Sequence, residues 1–142
     1  MNRIDQKFEE ARSEGRILFS IYICAGDPDL ATTRELVLEF DRRGVDMIEL
    51  GVPFSDPVAD GPVIQNATQR ALENGTTLSQ TLETLRSIRK DSDIPILLMT
   101  YYNPVFHFGV EKLVEAAIEA GADGLIIPDL TPEESAEVVD AA

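Results

Sequence analysis

Four short apolar runs, Ile17–Cys24, Met47–Val52, Ile94–Thr100 and Gly124–Pro128, constrain this chain more than any other feature. Each is nearly continuous rather than alternating, the pattern of parallel strands buried on both faces. Between them lie stretches of helical period. Leu36, Val37 and Phe40 make one stripe, Leu78, Leu82, Leu85 and Ile88 a second, and Leu113, Val114, Ala117 and Ile118 a third. Gly44, Gly75 and Gly121 stand where glycines end helices. Thr131-Pro132-Glu133-Glu134 reads as a helix start, with a capping-box Thr and Glu and proline in the first turn. The spacing of Ile4, Phe8 and Ala11 predicts one further helix ahead of the first strand.

Strand–helix alternation of this kind is a parallel α/β architecture. A faint repeat supports it: Gly44-Val45-Asp46-Met47-Ile48 resembles Gly121-Ala122-Asp123-Gly124-Leu125, each a helix end followed by a strand start. Recurrent units suit a (β/α)8 TIM barrel, which needs roughly 250 residues. The 142 residues supply four strands. The fold expected is therefore the first four β/α units of such a barrel behind an N-terminal helix, with residues 1–142 forming a single partial domain. No linker, low-complexity stretch or second domain is visible.

Composition narrows the function. Twenty-six acidic against 12 basic residues give a net charge of −14. Such a surface repels phosphate backbones and anionic lipid, which sets aside nucleic-acid and membrane binding. The acidity fits a salty cytoplasm or a solubility strategy equally. A single cysteine, Cys24, forbids an internal disulfide and fits a reducing compartment. Met1 to Arg16 is polar, without an apolar core of signal-peptide length, and no run approaches membrane-spanning length. The expectation is a soluble, acidic, cytoplasmic protein.

The most informative stretch runs from Glu49 to Pro62, Glu-Leu-Gly-Val-Pro-Phe-Ser-Asp-Pro-Val-Ala-Asp-Gly-Pro. Glu49 interrupts an apolar strand, sharing a face with Met47 and Gly51. A carboxylate there costs several kcal/mol, on the order of a buried unpaired polar group or more, unless it is paired or neutral. It is either a functional group near the carboxyl end of a barrel strand or a strand-end Glu that reaches solvent or meets an arginine. Asp60, before Gly61-Pro62 and a helical segment, makes a good N-cap, and capping alone would explain it. Asp56 is explained by bonding within its own turn between Pro53 and Pro57. Together, Glu49 and two loop aspartates form a plausible acid/base set of moderate specificity.

Other chemistries fall away. Lys7, Lys90 and Lys112 are all placed in helical segments, so no Schiff-base lysine stands at a strand end. With His107 and Cys24 each alone in type, a His/Cys metal site is improbable, and oxygen-only Mg²⁺ binding by Glu49 and Asp60 has no support. Nucleotide fingerprints and the nucleophile elbow are absent. His107, between Phe106 and Phe108, reads as a loop or packing residue.

Glu49 through Asp60-Gly61-Pro62, continuing into Ile64-Gln65-Asn66-Ala67, closely resembles the signature of the tryptophan synthase alpha subunit family. Ala25-Gly26-Asp27-Pro28, Met99-Thr100-Tyr101-Tyr102-Asn103-Pro104 and Ile127-Pro128-Asp129-Leu130 agree in family order and spacing, so the resemblance covers essentially the whole chain. It implies a (β/α)8 barrel that cleaves indole-3-glycerol phosphate into indole and glyceraldehyde 3-phosphate by a retro-aldol reaction. Glu49 matches the family's general acid/base, which protonates indole C3 and helps remove the glycerol hydroxyl proton. Asp60 matches the second catalytic carboxylate, which accepts from the indole N–H. Tyr22, Met99 and Tyr101 match positions lining the indole pocket.

The resemblance also implies a partner, a beta subunit carrying pyridoxal phosphate that receives indole through a tunnel; no cofactor is implied on the alpha subunit itself. Pro53, Asp56 and Pro57, with Asn103, Pro104 and Pro132, resemble the parts that communicate with that partner. The family's phosphate site and mobile lid lie in the second half of the barrel. These residues thus hold the carboxylates without the substrate's phosphate anchor, and alone are expected to be inactive. The alternative function is a non-catalytic half-barrel serving as an interaction module for the beta subunit. A different barrel isomerase or lyase acting on a phosphorylated substrate is disfavoured by the Glu49–Asp60 signature.

Overall fold

Each apolar run becomes one strand of a single parallel sheet in the order β1-β2-β3-β4, with neighbours in sequence also neighbours in space. The computed structural model describes residues 2–142. The strands are β1 (Ser20–Cys24), β2 (Met47–Gly51), β3 (Ile96–Met99) and β4 (Gly124–Ile126). The helices are α1 (Arg3–Glu14), α2 (Leu30–Arg42), α3 (Pro62–Glu73), α4 (Leu78–Ile88), α5 (Tyr102–Phe108), α6 (Val110–Ala120) and α7 (Ala136–Ala141). A short 3₁₀ turn, Pro132–Glu134, precedes α7.

The two faces of the sheet differ. Ile48, Leu50, Ile96 and Leu98 point to the outer face and are fully buried, each contributing about 1.5–3 kcal/mol of hydrophobic stabilisation. Their cover includes Val37, Leu82, Leu85, Ile88, Leu113 and Ala117, from α2, α4 and α6, helices that pack side by side. The inner face carries Tyr22, Glu49, Leu97 and Gly124 in one register row and Cys24, Gly51, Met99 and Ile126 in the next.

The predicted boundaries change where apolar residues were not buried. β1 starts at Ser20 rather than Ile17, and Ile17 and Phe19 are 90% and 60% exposed. Val52 and Ile94 are buried just outside β2 and β3. In α2 the buried positions are Thr33, Val37 and Leu38 rather than Leu36, and in α6 Ile118 is 62% exposed. Gly44, Gly75 and Gly121 all adopt positive φ at helix ends, as predicted. Thr131 begins a 3₁₀ turn without capping a backbone N–H, so no capping box forms there. Lys90 falls in the turn after α4, not within a helix. The helix α5, with exposed His107 in its last turn, replaces the expected loop.

The faint repeat has a physical meaning at the amino end of the sheet. Asp46 donates its N–H to the Phe19 carbonyl (3.0 Å) and accepts the Phe19 N–H on its carboxylate (3.0 Å). Asp123 does the same with Ile96, at 2.8 Å for both bonds. Each carboxylate also takes an arginine: Arg16 on Asp46 (2.8 Å), and Arg89 (2.7 Å) with Arg3 (3.0 Å) on Asp123. The side chains of both aspartates are buried, and the arrangement starts each strand in register while tying α1 beneath the sheet. A cleft of about 480 Å³ at this end is lined by Arg3, Lys7, Glu10, Asp41 and Asp93. Its cations are paired with nearby carboxylates, and it faces none of the predicted site residues.

Candidate active site

Glu49 is the third residue of β2 and lies on the inner face, partly buried. Its register partners are Tyr22 on β1 and Leu97 on β3. Among the described residues no arginine, lysine or histidine pairs with it; its one hydrogen bond comes from the Ser20 hydroxyl, 3.1 Å from Oε1. The arginine-paired alternative for this residue therefore does not hold.

The carboxyl end of β2 leads into the loop 52–61. Val52 continues the ladder by donating to the Met99 carbonyl (2.8 Å), and the Asp60 N–H returns to the Pro57 carbonyl (3.0 Å). The loop is fastened by Tyr101, 3% exposed, whose hydroxyl accepts the Ala59 N–H at 3.0 Å. Phe54 packs on the Tyr101 ring at a centroid distance of 5.6 Å. Asp60 is not a helix cap: the N-cap of α3 is Gly61, which carries no side-chain bond. Asp60 is held instead through its backbone, the Gln65 side chain donating to its carbonyl at 2.8 Å. Its carboxylate lies beside the Tyr101 phenol.

Tyr22 shows how the groups converge. Its phenol is pushed well above the ordinary tyrosine range, chiefly by burial, with Cys24, Asp60, Tyr101 and Glu49 adding to the effect. Asp60 likewise opposes ionisation of Tyr101, after the larger influence of burial. The Tyr22 ring lies across β2 at Gly51, where a Cβ would come within 2.2 Å of the phenol oxygen. Only glycine admits the ring there. Cys24 is buried against Thr68 of α3 (3.7 Å), and burial raises its thiol.

The structure thus brings Glu49, Asp60, Tyr22 and Tyr101 to one region, formed by the inner face of the sheet and the loop after β2, with Met99 partly buried beside Gly51 at the end of β3. The residues assigned to a partner surface divide. Asp56 is exposed, its carboxylate accepting from Ser55 at 2.6 Å, and Asn103 and Pro132 are exposed as well. Pro57 and Pro104 are partly buried, and Pro53 is buried, where it shapes the loop. Sequence reasoning missed Ser20 and the Ala59 N–H. The first becomes legible only once the β1–β2 register is known, and the second is a backbone group.

A parallel sheet wound in chain order and backed by helices, with one carboxylate in mid-strand and a second on the loop that follows, defines a barrel-type α/β protein. The model of the tryptophan synthase alpha chain family matches residues 8–142, and the chain belongs to that family. It is 50% identical over all 142 residues to a tryptophan synthase alpha chain from Caldanaerobacter subterraneus subsp. tengcongensis, covering 54% of that relative. The crystal structure of tryptophan synthase subunit alpha from Legionella pneumophila superposes with a TM-score of 0.96 at 42% identity, over 99% of this chain and 54% of that one. A ligand-free tryptophan synthase structure from M. tuberculosis gives 0.94 at 35% identity, over 99% and 57%. The chain spans about half the length of the relatives it matches.

Proposed function

We propose that residues 1–142 form the first half of a (β/α)8 barrel that cleaves indole-3-glycerol phosphate to indole and glyceraldehyde 3-phosphate, in the cytoplasm, within tryptophan biosynthesis. The observation that carries this reading is Glu49, a carboxylate in mid-strand, without a cationic partner, beside Tyr22 and on the same side of the sheet as Asp60. In the proposed reaction Glu49 delivers a proton to indole C3 and takes one from the glycerol hydroxyl next to the breaking carbon–carbon bond, so the cleavage is proton-neutral overall. Asp60 accepts from the indole N–H and stabilises the positive charge that develops on the ring as C3 is protonated. Tyr22, Met99 and Tyr101 line the indole site, with no cofactor on this chain.

The test joins residues 1–142 to the remaining half of the Caldanaerobacter relative and measures indole release. Turnover by the joined protein, lost in Glu49→Gln, supports the reading; a folded joined protein without turnover contradicts it.

The reading includes a partner, the pyridoxal-phosphate-bearing beta subunit, docking at Asp56, Pro57, Asn103, Pro104 and Pro132. Its support is local: Val58 is 81% and Phe106 67% exposed, large apolar side chains beside Asp56 and Asn103. The same exposed side chains favour the second reading, a non-catalytic interaction module, which binding to a beta subunit without turnover by the joined protein would establish.

A further inference from the structure

We infer that Ser20 is a positioning residue for Glu49, an inference that rests on the acid–base role proposed above. Ser20 opens β1, pairs with Met47, and lies diagonally across from Glu49 on the inner face. Its hydroxyl is the one hydrogen-bond donor to the Glu49 carboxyl group among the described residues, at 3.1 Å from Oε1. The directly opposed neighbours do not compete: Leu97 is apolar, and the Tyr22 ring runs past Glu49 to lie over Gly51. Along β2 itself, Met47 and Gly51 offer no polar side chain.

The choice of a neutral hydroxyl has a chemical consequence. An arginine or lysine would favour the ionised carboxylate and so oppose proton uptake. A serine O–H donating to Oε1 remains compatible with a proton arriving on or leaving Oε2, because one oxygen is fixed and the other is free. Ser20 therefore orients the group without placing a fixed charge beside it. Orientation matters here because a shuttling carboxyl must meet two positions on the substrate, the ring carbon and the glycerol hydroxyl, from one rotamer.

The experiment uses residues 1–142 joined to the remaining half of the Caldanaerobacter relative. Ser20→Ala is expected to lower kcat about tenfold while KM stays within about twofold, since orientation of the acid/base rather than substrate binding is disturbed. Ser20→Thr, which keeps the hydroxyl and suits a strand, is expected to restore most of kcat. A merely structural role would lower the melting temperature of Ser20→Ala without this split and without rescue by Thr. Parental kcat in Ser20→Ala overturns the inference. If the joined parent itself releases no indole, the proposed reaction fails, and Ser20 is then judged by the ¹³C carboxyl resonance of Glu49, assigned by its loss in Glu49→Gln. A resonance displaced in Ser20→Ala and returned in Ser20→Thr supports the positioning contact; an unmoved resonance overturns it.

Discussion

The Tyr101 hydroxyl accepts the Ala59 N–H at 3.0 Å, binding the end of β3 to the loop that delivers Asp60. The two residues are 42 positions apart in the chain, so one buried phenol converts a flexible connection into a fixed part of the site. Tyr101→Phe removes the acceptor and keeps the ring. Stability should fall by about 0.5–1.5 kcal/mol, the net worth of one hydrogen bond. Faster hydrogen exchange at the Ala59 amide would locate the loss; exchange as slow as in the parent would show that the loop is held elsewhere.

Gly51 and Tyr22 make a second coupled pair. A Cβ at residue 51 would meet the phenol oxygen at 2.2 Å. Gly51→Ala should therefore cost about 1–3 kcal/mol by overpacking, and Tyr22→Ala placed in the same chain should recover much of it. Denaturant unfolding of the single and double variants checks this. Additive losses would mean the ring is not the obstacle.

The fold was legible where burial and hydrophobicity agree. Ile48, Leu50, Ile96 and Leu98 are apolar because they face helices, and their continuous runs marked the strands correctly. Ile17 and Phe19 were drawn into β1 by the same rule but are exposed, because the strand start is set by the paired bonds between the Phe19 backbone and the Asp46 N–H and carboxylate rather than by hydrophobicity. The helix α5 was hidden, with His107 read as a loop or packing residue, because its seven residues are too short for a clear apolar stripe. At the site, Glu49 was legible as a charge in an apolar strand. The Asp60 reading illustrates a local ambiguity, since Asp60 and Gly61 are adjacent and both favour N-cap positions. Ser20 was invisible because a cross-strand diagonal exists only after the register is set.

Asp60→Asn now separates chemistry from structure. Gly61 caps α3, so the substitution should leave the melting temperature nearly unchanged. Indole release by the joined protein should fall by about two orders of magnitude, as for loss of a preorganised electrostatic group. A large drop in melting temperature with little change in kcat would assign Asp60 to the fold instead.

The amino end of the sheet should behave oppositely. Arg89 and Asp123 have side-chain exposures of 10% and 4%. Asp123→Ala leaves that guanidinium buried without its carboxylate and should cost about 3–5 kcal/mol. Asp46→Ala should cost less, because its partner Arg16 is 37% exposed and solvent can replace the lost contact. Equal losses in calorimetry would contradict the asymmetry.

Tyr22 and Tyr101 link the site to alkaline stability. Burial favours the neutral phenol of each in the folded chain, holding both above the ordinary value of 10.0. Below that pH both states are protonated and the stabilisation is fully present. Above it the unfolded chain releases protons that the folded chain retains, so stability falls as pH rises. Tyr22→Phe should flatten this alkaline decline in urea midpoints; an unchanged slope would exclude Tyr22 as a source.

The most direct measurement is kcat for indole release from indole-3-glycerol phosphate by residues 1–142 joined to the Caldanaerobacter half, with and without Glu49→Gln. Glutamine keeps the shape and can still accept from Ser20, but it cannot shuttle a proton. The account predicts a folded variant whose kcat is lower by at least about two orders of magnitude, as loss of a positioned acid/base requires. A folded Gln variant with near-parental kcat would contradict it.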